Sequence, residues 1–466
     1  MRREPVSPSF VRPSRIPTAR ILCPLAALAL FSPAVFADPG DWVEFFEETN
    51  ARLVAATSVG TADAEEKDYA IGDVDNDGDP DIVSLRKTPF SNAGGKRDVL
   101  FLNENGVMTD RTSTLAPDLL DITDDRDGQL ADLDNDGWLD LVTSGAFGQA
   151  SRVLINLGAV GGVWQGFDHQ PARLPVFSPT PNFCSVAVGD VTGDGFADLY
   201  FTDYDTNVED RLLINDGTGN FTDQTSARLT FAMVNSTFAL DSQIADMNGD
   251  GFNDIVKDNA SGSGAGPGGG PDPNVSVMYN DGTGHFTFRD EIYSVEPYST
   301  EVADFTKDGK LDLFIVDDAQ DRFMINQGNN GNGRATFATT QLTQSPHTNF
   351  FGGTARFADL DDDGILDVLV ADVDTDIPGC DRRLAALRGT GTPPAISFRD
   401  PLGVANRPWL KFGVYDVAPL DINGDGALDL FIGTCSGTHV FMGAPTTFFR
   451  DGFESGDTSA WSQTVN

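Results

Sequence analysis

A nine-residue pattern, Asp-x-[Asp/Asn/Thr]-x-Asp-Gly-x-x-Asp, occurs seven times in this chain of 466 residues. The copies start at Asp73, Asp132, Asp190, Asp246, Asp304, Asp359 and Asp421, at intervals of 55 to 62 residues. A period so regular over most of the chain indicates a repeat architecture rather than one large compact core. Short β-rich runs flank the loops, such as those ending at Gly189 and beginning at Leu199 or Leu430, and read as strands joined through the loop. Further along the period comes Asn-Asp-Gly between apolar runs, at Asn215 and again at Asn280, a tight-hairpin signal. Shortened copies lie at Leu102–Gly106, Ile325–Gly328 and Val440–Gly443. Each period therefore supplies strand, acidic loop, strand, connection, strand, hairpin and strand, the make-up of a propeller blade. The expected fold is all-β: a seven-bladed β-propeller with four antiparallel strands per blade and one acidic loop in each. The 49 Gly and 26 Pro suit the many turns this requires, and 33 Phe supply apolar filling.

Ring closure is also written in the sequence. The segment Phe46–Leu53 repeats Phe221–Leu229, the outer strand of the third unit, but stands alone ahead of the first loop. It is placed to complete the last blade, which removes the exposed ends of an open array.

The loops place oxygen side chains at positions 1, 3, 5 and 9 around a Gly at position 6 that permits a sharp turn. The candidate metal ligands are Asp73, Asp75, Asp77 and Asp81, with Asp79 at the seventh place; Asp132, Asp134, Asp136 and Asp140; and Asp190, Thr192, Asp194 and Asp198. They continue with Asp246, Asn248, Asp250 and Asp254; Asp304, Thr306, Asp308 and Asp312; Asp359, Asp361, Asp363 and Asp367; and Asp421, Asn423, Asp425 and Asp429. Hard oxygens without His or thiolate favour Ca²⁺ over transition metals, and Mg²⁺ demands a tighter octahedron. An EF-hand would need Glu at position 12, where this chain has Ser84, Thr143, Phe201, Lys257, Ile315, Val370 and Ile432. About seven Ca²⁺, one per blade, are expected.

The N-terminus has a different character. Five Arg precede or border the apolar run Ile21–Phe31, which is followed by Val35-Phe36-Ala37, the layout of a secretory signal peptide cleaved after Ala37. The apolar run is too short to span a bilayer, and no later stretch could do so. The expected division is thus 1–37 signal peptide, 38–450 propeller and 451–466 a C-terminal tail. A secreted, extracellular or periplasmic monomer follows. Loss of the five Arg and one Glu takes the formal charge from −40 to −44. Such a surface repels nucleic acid and favours counter-cations. Three cysteines remain, Cys184, Cys380 and Cys435, which allow one bridge. Cys380 with Cys435 is preferred because the two would lie in neighbouring blades.

The seven loops and the hairpin Asn215–Asp223 resemble FG-GAP/VCBS repeats, the units of integrin α-chain-like propellers, over residues 41–450. The resemblance implies a calcium-stabilised propeller, usually extracellular and often engaged in adhesion or carbohydrate recognition. It implies no single activity, since function on such scaffolds lies in sites carried by the loops. The tail Asp451–Ser462 is similar to short C-terminal tails of bacterial secreted proteins, and either a sorting role or a frayed polar end fits it.

Three function classes remain. The first is a binding or adhesion module for a glycan or an extracellular protein. The second is a secreted polysaccharide-active lyase or hydrolase, and the third a structural envelope component. No catalytic constellation is recognisable, because paired carboxylates cannot be singled out among so many ligand Asp residues. Strand direction puts loops and hairpins at one end of each blade, and the variable connections Arg86–Arg97, Asp258–Asn274 and Ala371–Arg383 at the other. Arg86, Lys87, Lys96 and Arg97 form a basic cluster that reads either as a binding patch or as a solvated loop.

Overall fold

The structure is a computed structural model that describes residues 42–89, 92–204, 209–235, 239–259, 274–294, 297–317, 321–341, 353–372, 384–392, 395–399 and 413–444. Seven antiparallel sheets form seven blades, numbered here by their acidic loops. The first strands of the blades are Glu66–Gly72, Asp125–Ala131, Phe183–Gly189, Ser242–Ala245, Pro297–Ala303, Gly353–Ala358 and Val414–Leu420. These lie innermost and together line a central cavity. In every blade the acidic loop joins this strand to the second, whose first residue is the Asp at loop position 9. Second strands such as Asp81–Lys87, Asp140–Gly145 and Asp198–Asp203 are buried along their whole length. That follows from their place: each face of a blade packs on a neighbour, so apolar residues run without the alternation of a one-sided sheet.

The hydrophobic core is correspondingly split into seven clusters, each between two adjacent blades. Ile82 packs toward blade seven with Phe431, while Val83 and Leu85 pack toward blade two with Leu141. The cluster containing Tyr69, Phe101, Phe431 and Met442 joins the last blade to the first, so the ring is closed.

Closure uses the N-terminal segment. Phe45–Glu47 is the outer strand of blade seven, with Phe45 opposite Gly443, Phe46 opposite Met442 and Glu47 opposite Phe441. Thr49 Oγ1, in a buried residue, accepts the Val440 N–H at 3.0 Å. The strand is shorter than the sequence match suggests. Thr49–Arg52 is a helical turn, and Leu53–Val54 runs parallel to Met108–Thr109 as a fifth strand of blade one. One segment thus grips both blades at the seam. The repeat at Phe221–Leu229 has the same form, with strand Phe221–Asp223 followed by the turn Thr225–Arg228.

Two sets of polar contacts tie blade to blade. Near the loops, hairpin Asn side chains donate to the carbonyl of the second loop residue of the preceding blade. Asn156 donates to Val74 at 2.7 Å, Asn215 to Leu133 at 2.8 Å, Asn280 to Val191 at 2.7 Å and Asn103 to Ile422 at 2.9 Å. In the two Asn-Asp-Gly hairpins positive φ falls to Gly217 and Gly282, and the Asn side chains serve the link between blades. Along the axis, Asp127 accepts the Val186 N–H at 2.7 Å, Asp241 that of Thr300 at 3.0 Å and Asp416 that of Tyr69 at 2.9 Å.

Cys435 is disulfide-bonded and Cys184 is free and buried. Cys380, the expected partner of Cys435, lies outside the described residues, as do 1–41 and 445–466. No helix among the described residues is long and apolar enough to cross a membrane.

Candidate functional site

The seven loops share one backbone. Position 6 is Gly at positive φ throughout, from Gly78 to Gly426, as the sequence requires. Position 4 also lies in the left-handed region in all seven: Asn76, Asn135, Gly193, Gly249, Lys307, Asp362 and Gly424. The preference for Asn or Gly there was visible in the sequence and marks this second reversal. Each turn is closed by its own carboxylates. Asp73 accepts the N–H of Asp77 at 3.1 Å and of Gly78 at 2.9 Å, and Asp77 accepts that of Asp79 at 3.0 Å. The equivalents of the Gly78 contact span 2.7–2.9 Å in the other loops.

Position 9 does two jobs at once. Asp81 accepts the Val74 N–H at 3.0 Å and the Asn103 N–H at 2.8 Å, so it fixes the start of the second strand to the loop and to the third strand. Asp140, Asp198, Asp254, Asp367 and Asp429 repeat the arrangement. Burial pushes these carboxyls up, Asp81 to about 8 and Asp140, Asp254 and Asp367 to about 7, with neighbouring loop carboxylates adding to the rise. A bound cation would reverse that penalty.

These acidic groups could hold a metal ion. In loop one Asp73, Asp75 and Asp81 bring oxygens within 4.8 Å of one another, as do Asp132, Asp134 and Asp136 in loop two, and Asp359, Asp361 and Asp367 in loop six. These are the loops with carboxylates at all four positions. In the others, Thr192, Asn248, Thr306 or Asn423 stands third and supplies a neutral oxygen. The loops differ in a second respect that the motif does not announce. Arg173 reaches Asp134 at 3.3 Å, Arg388 reaches Asp361 at 2.5 Å and Asp363 at 3.1 Å, and Lys310 pairs with Asp308. Loops two, five and six therefore carry a resident basic group. The remaining four have none within 4 Å of their ligand carboxylates among the described residues.

On the opposite face the basic cluster does not form a free patch. Arg86 is buried against Asp63 at 2.7 Å, Lys87 pairs with Glu66 at 2.6 Å, Lys96 with Glu65 at 2.8 Å and Arg97 with Asp110 at 3.2 Å. All four cations are neutralised within blade one and its neighbouring segments. Residues 260–273 and 373–383, the bulk of the other two variable connections, lie outside the described residues.

A further recurring set of side chains lies on the ring axis. The fifth residue before each loop is Asp68, Asp127, Ser185, Asp241, Ser299, Thr354 or Asp416, and the recurrence of Asp in four of seven repeats was the available signal. These residues sit at matching places on the innermost strands, except Asp241, which immediately precedes its strand. All but Asp416 line a cavity of about 640 Å³, together with Glu301 and Arg356.

A family model described as FG-GAP-like repeat matches residues 73–143, 190–256 and 304–370, in each case from one loop through the next or to the end of a second strand. No curated protein matches the chain. Among solved structures it is similar to an Agrocybe aegerita lectin, reported in its specific recognition of non-reducing terminal N-acetylglucosamine. The likeness has 16% identity over 82% of this chain and 85% of that one, with a TM-score of 0.43.

Proposed function

Because the chain belongs to the FG-GAP repeat propeller family, we propose that it is a secreted, calcium-binding propeller serving as a binding or adhesion module for glycan or protein ligands outside the cell. The observation that carries this reading is the division of labour between the loop end of the blades and the ring axis. One end bears seven oxygen-rich loops, three of which bring carboxylates within 4.8 Å of one another, and the cavity on the axis is built from side chains that the loops do not use. About seven ions, one per loop, would be held by the carboxylates, the Thr or Asn at position 3 and the carbonyl at position 7. Calcium here stiffens the frame by relieving repulsion among loop carboxylates, and takes no part in chemistry. A rigid ring with a polar axial cavity is a platform for recognition.

The deciding experiment applies calcium-saturated protein to a glycan array, with a parallel lyase and hydrolase assay on the same polysaccharides. Binding without turnover is expected. Turnover would replace this reading with the polysaccharide-active one, and silence in both would leave a structural envelope role.

A further inference from the structure

The side chain of Arg388 spans the gap between loop six and the seam of the ring. It starts from the third strand of its blade, Ala385–Thr392, and places its guanidinium 2.5 Å from Asp361 and 3.1 Å from Asp363, the third and fifth residues of the loop. The same guanidinium lies over the Trp42 ring, 5.9 Å from its centre and within reach of a cation–π contact. Trp42 stands three residues ahead of the closing strand Phe45–Glu47 and is only 9% exposed. It is packed in the cluster between blades six and seven. That cluster includes Leu360, the neighbour of Asp361 in the loop, and Phe441, which lies opposite Glu47 in the closing ladder.

The contacts of Arg388 compete with an ion. Asp361 belongs to the group whose oxygens, with those of Asp359 and Asp367, lie within 4.8 Å of one another. A guanidinium and a Ca²⁺ cannot share these oxygens at close range, because like charges repel and the ion needs the oxygens for its own shell. A guanidinium that gives up both carboxylates keeps the indole face, and Arg is suited to that exchange because it is weakly hydrated and stacks on aromatic rings. Loops two and five also carry a basic side chain, Arg173 or Lys310, but neither lies over a ring among the described residues. The link from loop to seam belongs to Arg388.

We propose that Arg388 is a clasp that couples calcium binding at loop six to the seating of Trp42, and through Trp42 to the strand that closes the ring. This rests on the calcium reading of the loops and adds what one of them controls. The coupling is reciprocal: an occupied loop six tightens Trp42, and a seated Trp42 raises the affinity of loop six by the same factor. A contact between Arg and an indole face sets that factor at about two- to fivefold.

The test is calcium titration of the full chain by calorimetry and by tryptophan emission. Each protein is compared with its Trp42→Phe counterpart, so that the difference is the Trp42 signal. That signal should shift as the weakly held ions bind. In Arg388→Met one ion should move to the tightly held class, and the Trp42 signal should no longer follow calcium. Arg388→Lys, which keeps the charge, should keep the response. Met retains the length of the Arg stem, and an unchanged melting temperature in saturating calcium verifies the fold. A Trp42 signal that ignores calcium while ions bind overturns the clasp and leaves the calcium sites standing. So does an equal response, or an unchanged calcium isotherm, in Arg388→Met. Absence of bound ions overturns both readings.

Discussion

Phe46 lies directly opposite Met442 in an antiparallel ladder, so the first described strand of the chain is the outer strand of its last blade. Without that strand Gly437–Gly443 would be an unpaired edge, and unpaired edges recruit other chains. Deleting residues 38–54, which hold no loop ligand, should lower the melting temperature by more than 10 °C or cause aggregation, measured by scanning calorimetry and light scattering. The milder Thr49→Ala leaves the Val440 N–H without its acceptor and should cost about 1–3 kcal/mol in denaturant unfolding. A fully stable, monomeric deletion would show that the ring closes without the N-terminal strand.

Lys307 occupies the left-handed position that three other loops give to Gly and two to Asn, at φ 54°. An ordinary L-residue there costs about 1–2 kcal/mol. Lys307→Gly should therefore raise stability by about 1 kcal/mol, partly offset by greater freedom of the unfolded chain. The corresponding Gly78→Ala, at φ 100°, should destabilise by a similar amount or more. Urea titrations of the three proteins in fixed calcium provide the comparison.

The axial acids give stability a pH dependence with a definite sign. Glu301, raised to about 7, and Asp241, raised to about 8, bind protons more tightly folded than unfolded. Their contribution is complete below the unfolded values near 4 and is lost as pH rises through 7 to 8. Calcium-saturated protein should accordingly lose stability between about pH 5 and pH 9. Glu301→Gln should flatten that slope, since Gln stays neutral throughout. A slope of the same steepness in the variant would assign the effect elsewhere.

Much of this architecture was legible before any coordinates. The period of the loops, the hairpin glycines and the match of Phe46–Leu53 to Phe221–Leu229 depend on local sequence, and local sequence decides strands and turns. Pairings between distant residues were not legible. Arg86, Lys87, Lys96 and Arg97 look like a basic patch in sequence, yet they are paired by Asp63, Glu65 and Glu66 from one preceding stretch and by Asp110 beyond them. The role of Asn215 could not be read either, because the carbonyl it meets, that of Leu133, belongs to the preceding blade. Nor did the loop motif foretell that Arg388 would reach Asp361 and Asp363 from the third strand of its blade.

That last difference grades the seven loops. Loop one has four carboxylates at the ligand positions and no basic neighbour, whereas Lys310 already pairs with Asp308 in loop five. Loops one, three, four and seven should fill at lower calcium than loops two, five and six. Asp77→Asn should remove one ion from the tighter class, and Lys310→Ala should move one ion into it.

The central claim is most directly tested by counting calcium. The protein, stripped with chelator and titrated calorimetrically, should bind close to seven Ca²⁺ per chain, about four tightly and three more weakly. Its melting temperature should climb as sites fill, because the ion binds only the folded loops. Two ions or fewer at millimolar calcium, with a melting temperature indifferent to excess chelator at neutral pH, would contradict the account.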